Sequence, residues 1–248
     1  MSKLTVVIIT KNEESNIDSC LKQLVFADEI ILIDDNSTDK TLEIAKKYKV
    51  KVISNKLSSF SHQRNLALER ASNSWVLFID ADETIDEKLR EEILERISEE
   101  TYDGYYIKRK DIFLGYEMKY GDLEDVRILR LGRKNSGMWE GDVHEKWRIK
   151  GKTSNLKNSL GHHSHQNLFH FIDKINYYSS IRANELKQGN IKSSFLTIAL
   201  YPMFKFVILY FSKMGFRDGL PGFIHALFMS MYSFLVRGKL YLLYKDEK

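Results

Sequence analysis

The stretch that most constrains this chain is Trp75-Val76-Leu77-Phe78-Ile79-Asp80-Ala81-Asp82-Glu83, five apolar or aromatic residues running straight into three carboxylates. A run of that length and β-branched, aromatic character predicts a strand buried on both faces. Strands of this kind belong to parallel sheets, and ligands bind such sheets in the crevice outside the carboxyl ends. Asp80 and Asp82 are two residues apart, so on a continuing strand they point the same way. Like charges that close call for a positive partner. A divalent cation with oxygen ligands fits, and Mg²⁺ characteristically joins one or two carboxylates to a phosphate. The first expectation is therefore a metal–diphosphate site, against the plainer reading of an acidic turn that caps the helix expected from Asp86.

The residues before this stretch repeat its grammar. Leu4–Thr10 (LTVVIIT) reads as a buried strand that ends in Thr10-Lys11-Asn12-Glu13. Apolar spacing at Ile17, Cys20, Leu21 and Leu24 predicts a helix over roughly Ser15–Leu24. Glu29–Ile33 is a second strand, ending in Asp34-Asp35-Asn36-Ser37-Thr38-Asp39, where Ser37, Thr38 and Asp39 suit the start of a helix over Lys40–Tyr48. Val50–Ile53 and a helix over Ser61–Ala71 complete a βαβαβαβ order with short connections, the signature of a doubly wound parallel sheet. Acids thus stand at two strand ends, Asp34/Asp35 and Asp80/Asp82, which a parallel sheet brings to one edge. Neither G-x-G-x-x-G nor G-x-x-x-x-G-K-[ST] follows the first strand, which disfavours a dinucleotide fold and a P-loop. A nucleotide site without a glycine loop needs another way to hold phosphates, and a metal on D-x-D supplies one.

Four segments in this order, VVIITKNEESNI, IDDNSTDKT, QRNLAL and WVLFIDADE, resemble the family 2 glycosyltransferases of the GT-A fold over the first hundred residues. The resemblance implies an α/β, Rossmann-like nucleotide-diphospho-sugar transferase domain, a nucleotide-sugar donor, a divalent metal (Mg²⁺ or Mn²⁺) and inversion at the anomeric carbon. It further implies that Thr10, Asn12 and Glu13 border the base and ribose, and that Asp34 and Asp35 contact uracil or ribose. Arg64 and Asn65 would lie near the diphosphate, Asp80 would touch ribose or metal, and Asp82 would ligate the metal.

After an amphipathic helix over Asp86–Ser98 the pattern turns to short alternating strands with frequent glycine, at Gly104–Lys110, Ile112–Met118, Val126–Leu131 and Val143–Ile149. The expected organisation is a mixed-sheet GT-A domain over 1–160, with a donor half at 1–100 and an acceptor half at 101–160. Two stretches, Leu123-Glu124-Asp125-Val126-Arg127-Ile128-Leu129-Arg130 and Trp139-Glu140-Gly141-Asp142-Val143-His144-Glu145, resemble segments of the subgroup that builds lipopolysaccharide inner core; Glu124 stands where that subgroup usually has Pro. Transfer to a hydroxyl needs a general base. Asp125 is the first candidate, with Glu145 and Asp142 as alternatives, and His144 is a candidate further metal ligand. Gly161-His162-His163-Ser164-His165 lacks zinc-site spacing and reads as a loop closing over the donor.

From Leu168 the chain reads as helical, and 161–248 is expected to form a membrane-associating extension. Phe195–Phe211 is almost wholly apolar, interrupted by Pro202 and Lys205, and Phe223–Val236 is a second apolar stretch. Lys213, Arg217, Arg237 and Lys239 flank them, as at a membrane interface. The reading is of two helices lying in the cytoplasmic leaflet; a soluble helical cap and a spanning hairpin are the alternatives. The formal charge of +4 is mild, but the basic placement over 192–239, where Asp218 is the one acid, points to an anionic surface more than to nucleic acid, of which no motif is present. One cysteine, Cys20, excludes an intrachain disulfide, and no signal-peptide pattern opens the chain, so the chemistry is expected in the cytosol. The functional expectation is glucose transfer from UDP-glucose to an inner-core heptose or similar lipid-linked glycan. Alternatives are another acceptor (polyprenyl phosphate, capsule or protein), or a non-catalytic sugar-nucleotide or membrane-binding module.

Overall fold

Period-two alternation is absent from the early strands because both of their faces are covered. A computed structural model describes residues 2–99, 101–123, 126–141, 145–165 and 168–245. It divides into two units, 1–109 with 125–162, and 110–124 with 163–248. The segment 110–124 therefore groups with the C-terminal helices and not with the acceptor half.

In the first unit, strands β1 (Leu4–Thr10), β2 (Glu29–Asp34), β3 (Lys51–Ser54) and β4 (Trp75–Asp80) alternate with helices α1 (Ile17–Lys22), α2 (Thr41–Ala45) and α3 (Phe60–Arg70). β1 pairs in parallel with both β2 and β4, and β2 in parallel with β3. Next come β5 (Glu83–Thr84), α4 (Glu87–Ser98), β6 (Gly104–Phe113), β7 (Tyr116–Glu117), β8 (Arg127–Arg133), β9 (Gly137–Glu140), β10 (Lys146–Ile149) and β11 (Thr153–His165). The sheet order is β3-β2-β1-β4-β8-β6-β11-β5, and β8 runs antiparallel to β4. β1 pairs on one side with the strand that follows it and on the other with β4. That makes the β1/β4 edge the switch point where ligands of open α/β sheets bind.

Odd and even residues of the central strands enter two different cores. Val6, Ile8, Leu77 and Ile79 pack with Ile17, Leu21, Leu89 and Ile93, the buried sides of α1 and α4. Val7, Ile33, Val76 and Phe78 pack with Ala67 and Leu68 of α3 and with Trp139 and Trp147 of the β9–β10 hairpin. Phe78 meets both tryptophans edge-on, at 5.1 and 5.2 Å between ring centroids. The hairpin, only partly foreseen in the sequence, packs its strands tightly at its open end, where Gly137 pairs with Ile149 and an added Cβ would lie 1.8 Å from the Arg148 carbonyl oxygen.

The helices are shorter than their apolar spacing suggested. α1 and α2 are six and five residues, because Glu13–Asn16 and Ser37–Lys40 are engaged in loop hydrogen bonds. Asp86, expected as the first residue of the helix, is instead its cap, and accepts the Leu89 N–H at 2.8 Å. The histidine patch does not form a loop: 161–165 is the last part of β11, and His162 pairs in register with Glu83 of β5.

The second unit contains α5 (Leu168–Gln188), α6 (Phe195–Val207) and α7 (Gly219–Lys245). Pro202 does not break α6; the helix runs through it and loosens into a π-helical turn only at Ile208–Ser212. Phe113, Met118, Phe171 and Ile175 form the core of this unit with Ile224, Phe228 and Met231 of α7 packed against them. No residue of α6 is buried, although Phe195–Ser212 has a mean hydropathy of 1.7.

The doubly covered sheet makes a simple stability prediction. Ile8→Ala, at a fully buried position, is expected to lower unfolding free energy by about 2–5 kcal/mol. Val25→Ala, at a position 76% exposed, should change it by less than about 0.5 kcal/mol. Urea denaturation followed by circular dichroism measures both.

Candidate active site

The carboxylates at the end of β4 are held by arginines that the neighbouring elements bury. Arg130 on β8 is 6% exposed, and its guanidinium grips Asp80 with both terminal nitrogens, at 3.3 Å to Oδ1 and 2.5 Å to Oδ2. The same Arg130 reaches Glu83 Oε1 at 3.4 Å. Glu83 in turn accepts the Asp80 main-chain N–H through Oε2 at 2.8 Å, which closes the turn on itself. From the other side Arg64 of α3 donates to Asp80 Oδ1 at 3.3 Å and to Glu145 Oε1 at 3.1 Å. Its guanidinium lies 4.5 Å from the Trp139 ring centroid. Two cations are thus threaded between three carboxylates: Glu145–Arg64–Asp80–Arg130–Glu83. Gln23 supports the turn from α1's C-cap, donating to the Glu83 carbonyl at 2.9 Å and accepting the Ile85 N–H at 2.6 Å.

This cluster separates the two acids' titrations. Burial works to raise Asp80, but Arg130 and then Arg64 outweigh it, and its carboxyl sits well below the usual range. Burial dominates at Glu83, against the pull of Arg130, and lifts its carboxyl to about 7. Burial likewise pushes the Cys20 thiol up to about 12, so it is an inert packing residue, as its helix position suggested.

Asp82 faces a different partner. Its Oδ2 lies 3.6 Å from His162 Nε2, and both side chains are about one-sixth exposed. Two donors bound to one ion at about 2.1 Å and near a right angle stand about 3 Å apart, so small adjustments let this pair share a cation. Among the described residues no group of three or more His, Cys, Asp or Glu side chains is arranged around one point. The remaining positions of an ion held here would fall to substrate oxygens and water.

Beside this, the edge of β1–β2–β3 is polar and incompletely satisfied. Asp34 accepts from the Ser37 N–H and hydroxyl at 3.0 and 2.6 Å, and Asp35 from Lys11 at 2.7 Å and the Leu57 N–H at 2.8 Å. Asn12, at φ +54°, bridges the two loops: its N–H donates to Ser37 Oγ at 2.9 Å and its Oδ1 accepts the Thr38 N–H at 2.8 Å. Thr10 Oγ1, Asn55 Nδ2 and Gln63 Oε1 are buried with no partner among the described residues. Buried polar atoms are nearly always paired, so three orphans along one edge fit a ligand that completes them.

Residues 5–171 match glycosyl transferase family 2. The chain belongs to that family. It is 30% identical to the lipopolysaccharide core biosynthesis glycosyltransferase LpsC of Rhizobium meliloti, over 96% of this chain and 92% of that one. An uncharacterized glycosyltransferase of Rickettsia typhi is 28% identical over 97% and 87%. Among solved structures, S. aureus TarS in complex with UDP-GlcNAc aligns over 99% of this chain and 92% of that one, at 18% identity and a TM-score of 0.48. The protein is a glycosyltransferase whose α/β domain is built on a mixed sheet and is followed by apolar helices.

In the transferase, the residues singled out from the sequence fall into three groups. Thr10, Asn12, Asp34, Asp35, Arg64, Asp80 and Asp82 lie at or beside the C-terminal strand edge, with Glu145 tied to them through Arg64. Two are committed to the scaffold: the Glu13 N–H donates to Thr41 at 2.7 Å, its carboxylate accepts from Asn16, and both ends of the Asn65 amide bind the Trp139 main chain at 2.9 Å. Asn65 thus fastens the β9–β10 hairpin instead of presenting its amide to a diphosphate. Asp125, Asp142 and His144 lie outside the described residues. The sequence reading missed Arg130, His162, Asn55 and Gln63. Arg130 had a signal: of the three arginines in β8 it alone stands between two leucines, Leu129 and Leu131, at the strand's centre, and an arginine buried there calls for a carboxylate partner. His162 was visible only as one of three neighbouring histidines, and pairing with β5 selects it.

The raised Glu83 carboxyl makes a pH prediction. Unfolded, it ionises near about 4.3. Folded, it keeps its proton to about 7, so the native state binds more protons in between and loses stability as pH rises through that window. Asp80 acts oppositely: its contribution is present above about 3.9 and disappears as pH falls through its lowered value. Urea midpoints in metal-free buffer are expected to show the wild type losing stability relative to Glu83→Gln from about pH 4.5 to 7; a constant difference between the two would contradict the assignment.

Proposed function

We propose that this transferase moves a hexose, glucose from UDP-glucose, onto a lipopolysaccharide-core heptose or closely similar lipid-linked glycan at the cytoplasmic membrane surface, with inversion. The Asp82–His162 pair beside the unfilled polar edge of β1–β3 carries the donor half of this reading. The acceptor class rests on the likeness to LpsC along almost its whole length. The nucleobase would take the unpaired Asn55 amide N–H and Gln63 carbonyl, and the ribose the Thr10 and Asp34 side. A divalent metal, held by Asp82 and His162, would supply charge neutralisation at the diphosphate.

Each side chain then has a physical task. Arg130 and Glu83 fix the turn so that Asp82 faces His162, while Asp80 stays ionised at the ribose side of the site. Arg64, pressed on the Trp139 face, presents a cation toward the diphosphate as negative charge develops on the leaving phosphate. The acceptor hydroxyl gives its proton to a carboxylate while its oxygen bonds to the anomeric carbon and the bond from that carbon to the phosphate oxygen breaks. Asp125 remains the proposed base. Glu145, engaged by Arg64 at 3.1 Å, is better suited to orienting Arg64, and Asp142 is the alternative base. His144 is a further ligand on this reading.

A screen of nucleotide sugars for metal-dependent donor hydrolysis tests the donor. UDP-glucose is expected to be turned over best, with Mg²⁺ or Mn²⁺, and Asp82→Ala or His162→Ala to lower the rate on the order of a hundredfold. Unchanged turnover in Asp82→Ala would remove the metal role. Mass analysis of glycolipid from a deletion strain tests the acceptor, with loss of one hexose from the core expected.

A further inference from the structure

The second unit has a groove of about 840 Å³ whose floor and walls come from two loops and the first turn of α7. The loops are pinned together. Asp218 accepts the Lys119 N–H at 3.2 Å and the Tyr120 N–H at 2.9 Å, and the Gly121 N–H donates to the Lys213 carbonyl at 3.0 Å. Asp122 takes Lys205 at 2.6 Å and Lys213 at 2.5 Å. Gly222 completes the closure, since a Cβ there would lie 2.0 Å from the Gly215 carbonyl oxygen.

Charge accounting around the groove leaves a positive remainder, with Lys110, Lys119, Lys205, Lys213 and Arg217 against Glu117, Asp122 and Asp218. Its two acids are answered within the unit: Asp218 by the main-chain N–H groups, and Glu117 by Lys110 at 3.6 Å. Its two cations are not. Lys119 and Arg217 are exposed, and neither meets a carboxylate among the described residues; Arg217 lies over Tyr120, 5.1 Å from its ring centroid. Leu114, Leu220, Pro221 and Ile224 supply the apolar wall.

Two backbone outliers flank the same region. Leu114 has φ +50° and Met214 φ +55°, a left-handed conformation uncommon for bulky residues. Strain of this kind clusters at ligand clamps. Met214, Phe216 and Leu220 are 47–69% exposed, and from them an uncharged surface continues through Phe211 of the π-helical turn and along the outer side of α6 through Val207, Phe204, Met203, Leu200 and Leu196. A cationic, apolar-walled groove at the end of an uncharged apolar helix face matches an anionic head group above an acyl chain.

We propose that this groove binds a glycerophospholipid of the bilayer, with Lys119 and Arg217 on its phosphate and Leu114, Leu220, Pro221 and Ile224 against its acyl chain, and that this contact seats the apolar face of α6 in the leaflet. The inference rests on the membrane-surface part of the proposed function and is independent of the donor and acceptor assignments. Arg217 and Lys119 act as the head-group readers, so anionic phosphatidylglycerol is preferred over zwitterionic phosphatidylcholine.

The test uses the full chain. Binding is measured to phosphatidylcholine vesicles with and without phosphatidylglycerol, and to monomeric dihexanoylphosphatidylglycerol, dihexanoylphosphatidylcholine and inorganic phosphate. Lys119→Gln/Arg217→Gln is compared with Lys150→Gln/Lys152→Gln, an equal charge change on the first unit. The groove variant is expected to bind phosphatidylglycerol vesicles about 30-fold more weakly, at about 1 kcal/mol per removed charge. It should also lose saturable binding of the short-chain anionic lipid, while the control variant keeps both and both variants keep donor hydrolysis. Leu220→Asp should lose the short-chain lipid too. Equal binding of inorganic phosphate and short-chain lipid would overturn the proposal in favour of a free-anion site. Vesicle binding unchanged in the groove variant would overturn it as well. Wild-type protein that ignores vesicles while hydrolysing donor would remove the membrane reading and leave the transferase reading standing.

Discussion

Everything at the active edge depends on Arg130 being buried between Asp80 and Glu83. Removing a guanidinium and two carboxylates from water is costly, and the cost is offset only where each charge has a well-placed partner. Here the partners come from β4, the turn after it and the antiparallel strand β8. The ion cluster can therefore form only when the parallel and antiparallel halves of the sheet have joined. Breaking it would leave a carboxylate or an arginine alone in a dry site, so the turn holds one conformation. That rigidity gives Asp82 its direction toward His162 instead of toward the arginines.

The sheet topology explains why so few residues suffice. β1 lies between β2 and β4, so the turns after all three strands open onto one edge. Thr10, Asp34 and Asp80 are brought together by strand register alone, as in the pairs Thr10↔Asp34 and Ile9↔Asp80. The stacking of Arg64 on Trp139, and of Phe78 against both tryptophans, ties the short β9–β10 hairpin to the same edge. Aromatic surface here does two jobs: it closes one face of the core and it holds a cation beside a carboxylate.

The second unit follows a different logic. Its core uses only part of the apolar surface available, and α6 keeps an uncharged face turned outward. Exposed patches of that extent mark an interaction surface. Lys205, the one charge inside α6, points to Asp122 on the inner side, which explains how an apolar helix accommodates it without placing charge on the outer face.

Much of the first hundred residues was legible because their signals are local. Buried strands are continuous apolar runs, acids mark their ends, and an aspartate at position 86 stands at the start of the next helix. Short loops then force the parallel order. Helix ends were less legible, since Asn12, Glu13 and Glu14 bond to Ser37, Thr41 and Asp39 across loops that are adjacent only after β1 and β2 pair. Asn65 misled for the same reason: its place beside Arg64 in sequence says nothing of the Trp139 backbone, 74 residues away, that takes its amide. Local sequence by itself determined the strands, their carboxylate ends and the apolar helices, because these follow from periodicity and side-chain chemistry. Only the tertiary structure decided that Arg130 neutralises Asp80, that His162 among three histidines faces Asp82, and that Glu83 stays buried and protonated to near neutrality. Those are choices between chemically equivalent residues, and only distance and desolvation distinguish them.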